Sequence, residues 1–198
     1  MLSTTLFKIG CIQFGTFTLK SGITSPIYID LRPIISYPKL LEFITEQLIE
    51  KSKALDYNRV CGIPYTALPL ATAFSLRTQT PMLLRRKEPK NYGTQRLVEG
   101  VYTAQDKCLI IEDIITSGSS VLETCNILKH EKLSIDSILV VLDREQGGKT
   151  ILEKQSYSVH TLLTLSEVLN ELHSQHTIKK NIITSVMNFL EKNQVKCL

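Results

Sequence analysis

The chain has 198 residues, of which 43% are hydrophobic and 21% charged, and its formal net charge is +4. These values fit one globular domain with a sizeable core, so a single unit is predicted over residues 1–198. The mild positive charge suits an anionic small molecule better than a nucleic acid, which would require a concentrated basic stripe. The five cysteines show no C-x-x-C spacing, and no apolar run approaches the roughly 18 residues of a membrane span, so a cytoplasmic location is expected.

The predicted elements begin with an N-terminal hood over approximately residues 1–36, made of a short helix and two strands around a Ser-Gly turn. From there strands and helices alternate, which predicts an α/β fold with a mostly parallel central sheet flanked by helices. The strands are predicted at 15–20, 25–31, 59–63, 81–85, 98–102, 108–111, 137–142 and 158–163. The helices are predicted at 1–12, 37–53, 67–76, 166–175 and 179–192, with one more beginning at residue 120.

One stretch, CLIIEDIITSGSS, carries the clearest chemical signal. The apolar run Cys108–Ile111 predicts a buried strand, which Glu112 and Asp113 close. The hydroxyl-rich segment Thr116–Ser120 then opens a helix, and its last residue forms a capping-box pattern with Glu123. Backbone N–H groups at such a turn suit a phosphate, whereas paired carboxylates suit the hydroxyls of a sugar. The stretch therefore predicts a site for a phosphorylated sugar, although the same pattern also occurs in α/β proteins that bind no ligand.

A second signal is a polar, basic segment at approximately 86–97, which contains a proline and a glycine and almost no apolar residue. Such a segment cannot bury itself, so a flexible surface loop is predicted. Its cations would suit the clamping of an anion while water is excluded. The alternative is a solvated basic loop without a function.

The third signal is Arg144, which directly follows a predicted buried strand. Ligands of open α/β sheets collect at the carboxyl ends of the strands, and a planar guanidinium pairs well with a carboxylate. The alternative is an ion pair with Asp143 or Glu145 next to it. His173 and His176 lie three residues apart, but no further ligand completes a metal site, so no metal bound directly by the protein is expected.

The thirteen-residue stretch resembles the phosphoribosyl-pyrophosphate (PRPP) signature of the type I phosphoribosyltransferases. Four further motifs resemble the orotate phosphoribosyltransferase family and follow its motif order. Together they are most similar to the version that forms the N-terminal half of eukaryotic UMP synthase. These motifs are FTLKSG with SPIYIDLR, GIPYTALP, RRKEPKNYG and DRE. The resemblance spans nearly the whole chain. It implies the type I phosphoribosyltransferase fold and the transfer of the phosphoribosyl group from PRPP to orotate, giving orotidine 5′-monophosphate and pyrophosphate in UMP biosynthesis.

The resemblance also implies a role for individual residues. Orotate is expected to contact Lys20, Tyr28, Ile29, Thr116 and Arg144. PRPP is expected to contact Lys20, Tyr65, Thr66, Arg86, Lys87, Lys90, Tyr92, Glu112, Asp113, Ile114, Ile115, Thr116, Ser117, Gly118, Ser119 and Ser120. The catalytic residues are expected to be Arg86, Lys87, Lys90 and Asp113, and Mg²⁺ is expected as a cofactor bound mainly through PRPP. Many bacterial members carry Lys in place of Thr66 and His in place of Tyr92, so the contacts of these two residues are expected to differ.

Two other functions remain open from the sequence. One is a phosphoribosyltransferase for another base, such as a purine, which Arg144 disfavours because purines carry no carboxylate. The other is a PRPP-binding regulator without catalysis, which would need an added basic surface. The family implies a homodimer whose loops close over the partner's site, and whether the chain is a stand-alone enzyme or half of a bifunctional one is left open.

Overall fold

The computed structural model describes residues 1–19, 22–86 and 97–195, and these form a layered α/β fold. The strands are β1 (Ile12–Thr18), β2 (Thr24–Ile29), β3 (Arg59–Gly62), β4 (Met82–Arg85), β5 (Val98–Glu99), β6 (Cys108–Ile115), β7 (Ser137–Asp143) and β8 (Ser158–Thr164). The helices are α1 (Leu2–Lys8), α2 (Pro38–Ser52), α3 (Ala67–Thr78), α4 (Ser119–His130), α5 (Gly148–Lys154), α6 (Leu165–Ser174) and α7 (Lys180–Lys192), and a 3₁₀ turn spans Arg32–Ser36.

The main sheet has six strands in the order β5-β4-β3-β6-β7-β8, and only the β4–β5 pair is antiparallel. This confirms the predicted mostly parallel sheet with flanking helices. The central strand β6 is apolar on both faces because both are covered, as is usual for parallel strands. Leu109 and Ile111 join the core on one face, and Cys108 and Ile110 join the core on the other.

The N-terminal hairpin of β1 and β2 is a separate antiparallel sheet, which packs against α7. Its inward face carries Ile27 and Ile29, both of which lie in the core beneath it. Helix α1 docks on α6, where Ser3 Oγ donates a hydrogen bond of 2.7 Å to Glu171 Oε2. None of the helices in the described part of the chain is both long and apolar enough to cross a membrane.

Several element boundaries differ from the sequence prediction. The first helix ends at Lys8, since Gly10 takes a left-handed φ of +77° and the chain turns into β1 at Ile12. Strand β5 stops at Glu99. The central strand does not close at its acidic residues but continues to Ile115.

The predicted capping box at the start of α4 is wrong. Gly118 is the N-cap of this helix, and within the described residues it has no side-chain capping hydrogen bond. Glu123 forms an ion pair with the buried guanidinium of Arg85 at the end of β4, so its carboxylate does not cap α4. Helix α5 was not predicted at all, because it begins at the second glycine of a Gly-Gly pair and its seven residues are too few to show a clear helical period.

Candidate functional site

The predicted site residues lie at the carboxyl edge of the main sheet, where its connections diverge. Strand β3 leads to β4 on one side, whereas its neighbour β6 leads to β7 on the other. In open α/β sheets such a switch point leaves a crevice that receives the ligand. Tyr65 and Thr66 follow β3, Thr116 follows β6, and Arg144 follows β7. The fold therefore brings these separate motifs to one edge.

The turn after β6 has the geometry of an anion site. It surrounds a cavity of about 100 Å³ that is lined by Glu112 and by the residues 114–121. Gly118 has φ +75°, and the Oγ atoms of Ser117 and Ser119 are 3.0 Å apart. Helix α4 begins at this turn with no acidic residue in its first turn, so its N–H groups and dipole favour a bound anion.

The turn is fixed from behind by Gly148, the first residue of α5. Its N–H donates to Thr116 O at 3.0 Å. A Cβ at this position would lie 2.7 Å from Thr116 O and 2.8 Å from Gly118 N, closer than real side chains approach. A glycine is therefore required here, because the two turns are in direct backbone contact.

The two carboxyl groups of β6 have different surroundings. The side chain of Glu112 is buried, and its Oε1 accepts a hydrogen bond of 3.0 Å from the N–H of Asp113. Burial raises the pKa of Glu112 well above its ordinary value, and the neighbouring Asp113 carboxyl raises it further. Asp113 itself is half-buried. The pair therefore combines a half-buried carboxyl group with a buried one that holds its proton more tightly.

The guanidinium of Arg144 has unused hydrogen-bonding capacity within the described residues. Its Nε and Nη2 atoms have no hydrogen-bond partner in the part of the chain that the structure describes. The neighbouring acids are engaged elsewhere, since Asp143 Oδ1 accepts from the Glu145 N–H at 2.8 Å and Glu145 Oε2 accepts from the Ser166 N–H at 2.5 Å. Burial lowers the pKa of Arg144. The alternative of a neighbouring ion pair is thus not what the described residues form.

Arg86 lies at the base of the predicted loop. Its N–H donates to Leu97 O at 2.8 Å, which closes the chain on both sides of the segment 87–96. Its Nη1 lies 3.4 Å from Glu99 Oε1 on β5. Below this pair, Arg85 is buried and reaches Glu123 on α4. Arg85 therefore links the base of the segment 87–96 to α4, the helix that begins at the turn after β6.

The hairpin places Tyr28 and Ile29 on opposite faces. The side chain of Ile29 lies in the core, so only its main chain remains available to a ligand. The Tyr28 ring is half-buried on the other face, 5.6 Å from the Phe17 ring centroid, and its hydroxyl lies 3.5 Å from Arg32 Nη2. On the far side of the site, Tyr65 is 68% exposed, and the peptide bond before it is cis.

Four of the predicted site residues lie outside the described residues. They are Lys20, Lys87, Lys90 and Tyr92.

The sequence prediction missed two parts of this edge. One is α5 with its Gly148 contact, and the other is the segment Asn193–Val195, which packs on the loop that carries Arg144. The Gly-Gly pair after Arg144 was the available signal for the first. The second is separated from the loop by almost fifty residues, so no local pattern could have shown it.

Comparison with known proteins gives a consistent result. No protein-family model matches the chain. Uridine 5′-monophosphate synthase of Bos taurus is 45% identical over 194 residues, which are 97% of this chain but 40% of that protein. Orotate phosphoribosyltransferase of Caenorhabditis elegans is 41% identical over 181 residues, covering 90% of this chain and 78% of that protein. The chain thus spans two fifths of the first relative and most of the second.

Solved structures agree with this relationship. UMP synthase of Leishmania donovani superposes with a TM-score of 0.87 at 32% identity, covering 96% of this chain and 42% of that chain. Orotate phosphoribosyltransferase from Aeropyrum pernix superposes with a TM-score of 0.79 at 27% identity, covering 88% of this chain and 99% of that chain. The predicted type I phosphoribosyltransferase fold is therefore confirmed.

Proposed function

Because the chain belongs to the orotate phosphoribosyltransferase family, we propose that it transfers the 5-phosphoribosyl group of PRPP to orotate, in UMP biosynthesis. The products are orotidine 5′-monophosphate and pyrophosphate. The observation that carries this proposal is that two buried guanidinium nitrogens of Arg144, next to the anion turn after β6, have no partner among the described residues. A phosphate site beside an unused cation suits a phosphorylated sugar together with a base that bears a carboxylate.

In the proposed reaction the bond between ribose C1 and the pyrophosphate oxygen breaks, and a bond from the base nitrogen to C1 forms. Positive charge grows on the ribose while negative charge grows on the leaving pyrophosphate. The residues Thr116–Ser120 hold the 5′-phosphate, and Glu112 and Asp113 accept hydrogen bonds from the ribose hydroxyls. Arg144 fixes orotate through its carboxylate. This geometry catalyses by positioning and by electrostatic stabilisation, with no covalent enzyme intermediate.

The leaving pyrophosphate is assigned to the residues of the β3 and β4 ends. Tyr65 and Thr66 would contact it from one side, and Arg86 would contact it from the base of the loop. Arg86 already faces a carboxylate, that of Glu99, so its guanidinium would exchange one anion for another when PRPP binds. The remaining assignments, which are Lys20, Lys87, Lys90, Tyr92, Tyr28, Ile29, Ile114 and Ile115, are proposed from the family motifs.

We assign Mg²⁺ to the substrate and not to a protein cage. Within the described ranges no group of three or more His, Cys, Asp or Glu residues could hold a metal. The residues present fit an ion of this kind, because Mg²⁺ usually binds through one or two carboxylates together with substrate phosphates. Asp113 is the half-buried carboxylate that would face it. When bound, the ion would neutralise charge on the departing pyrophosphate.

A homodimer is also proposed, with the partner covering the β4 side of the sheet. Large apolar side chains are exposed there, namely those of Tyr65, Leu76, Leu84 and Val101. Leu84 shares its strand face with Met82, which packs against the core beneath α3, so Leu76 and Leu84 lie on the same side of the sheet. A second copy of the chain would remove this apolar surface from water.

A reducing, cytoplasmic location is proposed as well, since the four described cysteines are free and buried.

The direct test is turnover of orotate by the purified chain with PRPP and Mg²⁺, leaving out one component at a time. Orotate should disappear, and pyrophosphate appear in equal amount, only when all three are present. Adenine in place of orotate should give no product. Turnover of adenine alone would favour a purine enzyme of the same fold, and PRPP binding without turnover of any base would favour a regulator.

A further inference from the structure

The segment Asn193–Val195, which follows α7, folds back on the loop that carries Arg144. The Val195 N–H donates to Gln146 O at 2.9 Å, and Gln146 Nε2 donates to Asn193 O at 3.0 Å. Gln194 Nε2 donates to Glu145 O at 2.8 Å. Three hydrogen bonds therefore join this segment to the two residues directly after Arg144.

The loop that these bonds hold is closely packed, and its backbone has a positive φ at two residues. Glu145 has φ +57° and Gly147 has φ +97°, both in the left-handed region. A Cβ at Gly147 would lie 3.0 Å from Val195 O, so the segment rests directly on the loop backbone. Gln146 is buried although its sequence neighbours are polar. External contacts are needed to hold such a loop in one conformation.

Helix α7 also supports the other wall of the proposed orotate site. It packs against β2, the strand that carries Tyr28. A cavity of about 490 Å³ lies between the hairpin and the last turns of this helix, with Ser25 on one wall and Phe189 and Asn193 on the other. The hairpin and the Arg144 loop therefore rest on the same helix end.

We propose that Asn193–Val195 is a positioning element for orotate, which acts by holding Arg144. This inference rests on the proposed function. Because the guanidinium nitrogens Nε and Nη2 have no partner among the described side chains, the backbone of the loop sets their direction. That backbone is fixed on one side by the Arg144 N–H, which donates to Ile115 O at 3.0 Å, and on the other side by this segment. Loss of the segment frees the second side only.

Two variants test the inference. Gln194→Ala removes one of the three bonds, and a chain that stops after Lys192 removes all of them. We expect KM for orotate to rise about threefold to tenfold in Gln194→Ala and further in the shortened chain, since one hydrogen bond is worth about 0.5–1.5 kcal/mol. The kcat value and KM for PRPP should stay within about twofold, because Arg144 binds the base alike in the ground state and the transition state.

Gln175→Ala is the matched control. Gln175 is also an exposed amide at the end of a helix, and its Oε1 accepts a hydrogen bond of 2.6 Å from Thr4 Oγ1 on α1, not from the Arg144 loop. It should leave every kinetic constant unchanged. An equal rise in KM for orotate in this control would show a general structural effect and would overturn the inference.

A double-mutant cycle then asks whether the segment acts through Arg144. In an Arg144→Ala background, shortening the chain should cause no further loss of kcat/KM for orotate, because the side chain that the segment positions is gone. Full additivity of the two losses would overturn the inference. So would an unchanged KM for orotate in the shortened chain, provided that the wild-type chain turns orotate over. A wild-type chain without that turnover would instead overturn the proposed function itself.

Discussion

At the scale of single residues, the site depends on two groups, the guanidinium of Arg144 and the carboxyl of Glu112. Two buried nitrogens of Arg144 have no partner among the described residues, so a ligand carboxylate would complete its hydrogen bonds. Glu112 is buried with its pKa raised, so it stays protonated at a pH where an exposed Glu is already ionised. The sequence pointed to both residues from their positions at strand ends. It could not give their protonation, because burial depends on side chains from distant parts of the chain.

The raised pKa of Glu112 makes stability depend on pH in a defined direction. The unfolded chain releases the Glu112 proton near pH 4.5, whereas the folded chain keeps it to a higher pH. The stability that the protonated Glu112 side chain contributes is therefore full below pH 4.5 and is lost as the pH rises through the folded-state pKa. Glu112→Gln imitates the protonated form and has no such loss. We therefore expect the melting temperature of Glu112→Gln, measured relative to that of the wild type, to increase as the pH rises from 4 to 8.

Thermal unfolding of both proteins across this range, in buffers of equal ionic strength, measures the difference. Glu50→Gln is a suitable control, because Glu50 is an exposed acid on α2, away from the candidate site. Parallel curves for the wild type and Glu112→Gln would contradict the buried, proton-holding carboxyl.

At the scale of elements, the anion turn depends on the contact between two backbone turns. Gly148 at the start of α5 meets Thr116 and Gly118 with no space for a side chain. The sequence predicted the strand, the turn and α4 from local patterns. It missed α5 and placed a capping box at Ser120, because the ion pair that engages Glu123 comes from Arg85, 38 residues earlier in the chain.

Gly148→Ala should therefore impair the turn. Alanine suits a helix better than glycine, so any loss of stability must come from the contact with Thr116 and Gly118. We expect a loss of about 1–3 kcal/mol in the free energy of unfolding, typical of overpacking, together with weaker PRPP binding. Urea denaturation and calorimetric titration with PRPP measure the two effects.

Gly15→Ala serves as the comparison. Among the described residues, a Cβ at Gly15 would meet the Phe17 ring at 3.4 Å, which is an ordinary contact distance. We expect its free energy of unfolding to change by less than about 0.5 kcal/mol, with PRPP affinity preserved. If both alanine variants behaved alike, the close contact behind the turn would not be the support that we infer.

At the scale of the whole molecule, the switch point between β3 and β6 explains why motifs from four parts of the sequence meet. The alternation of strands and helices was enough to predict this edge. The contact of Asn193–Val195 with the Arg144 loop was not predictable, since it depends on where α7 ends in space. The exposed apolar residues on the β4 side were likewise invisible before burial was known.

These exposed residues give the test of the proposed homodimer. Leu76 on α3 is 68% exposed, so a charged substitution there costs little in the monomer but would be buried in the interface. We expect Leu76→Glu to shift the chain from dimer to monomer in sedimentation velocity at micromolar concentration. Ile35→Glu, at a residue that is 57% exposed in the 3₁₀ turn, should remain dimeric. A dimer that survives Leu76→Glu would place the interface elsewhere.

The most direct test of the account is the role of Arg144 in choosing the base. Arg144→Met keeps a long side chain but removes the charge that would meet the orotate carboxylate. We expect kcat/KM for orotate to fall about 30-fold to 1,000-fold, the usual loss for one partner of a buried charge pair, with PRPP affinity within about threefold of the wild type. The same change at Arg59, which pairs with Asp106 at the opposite edge of the sheet, should preserve kcat/KM in chains that remain folded. An Arg144→Met chain that uses orotate as well as the wild type does would contradict the account.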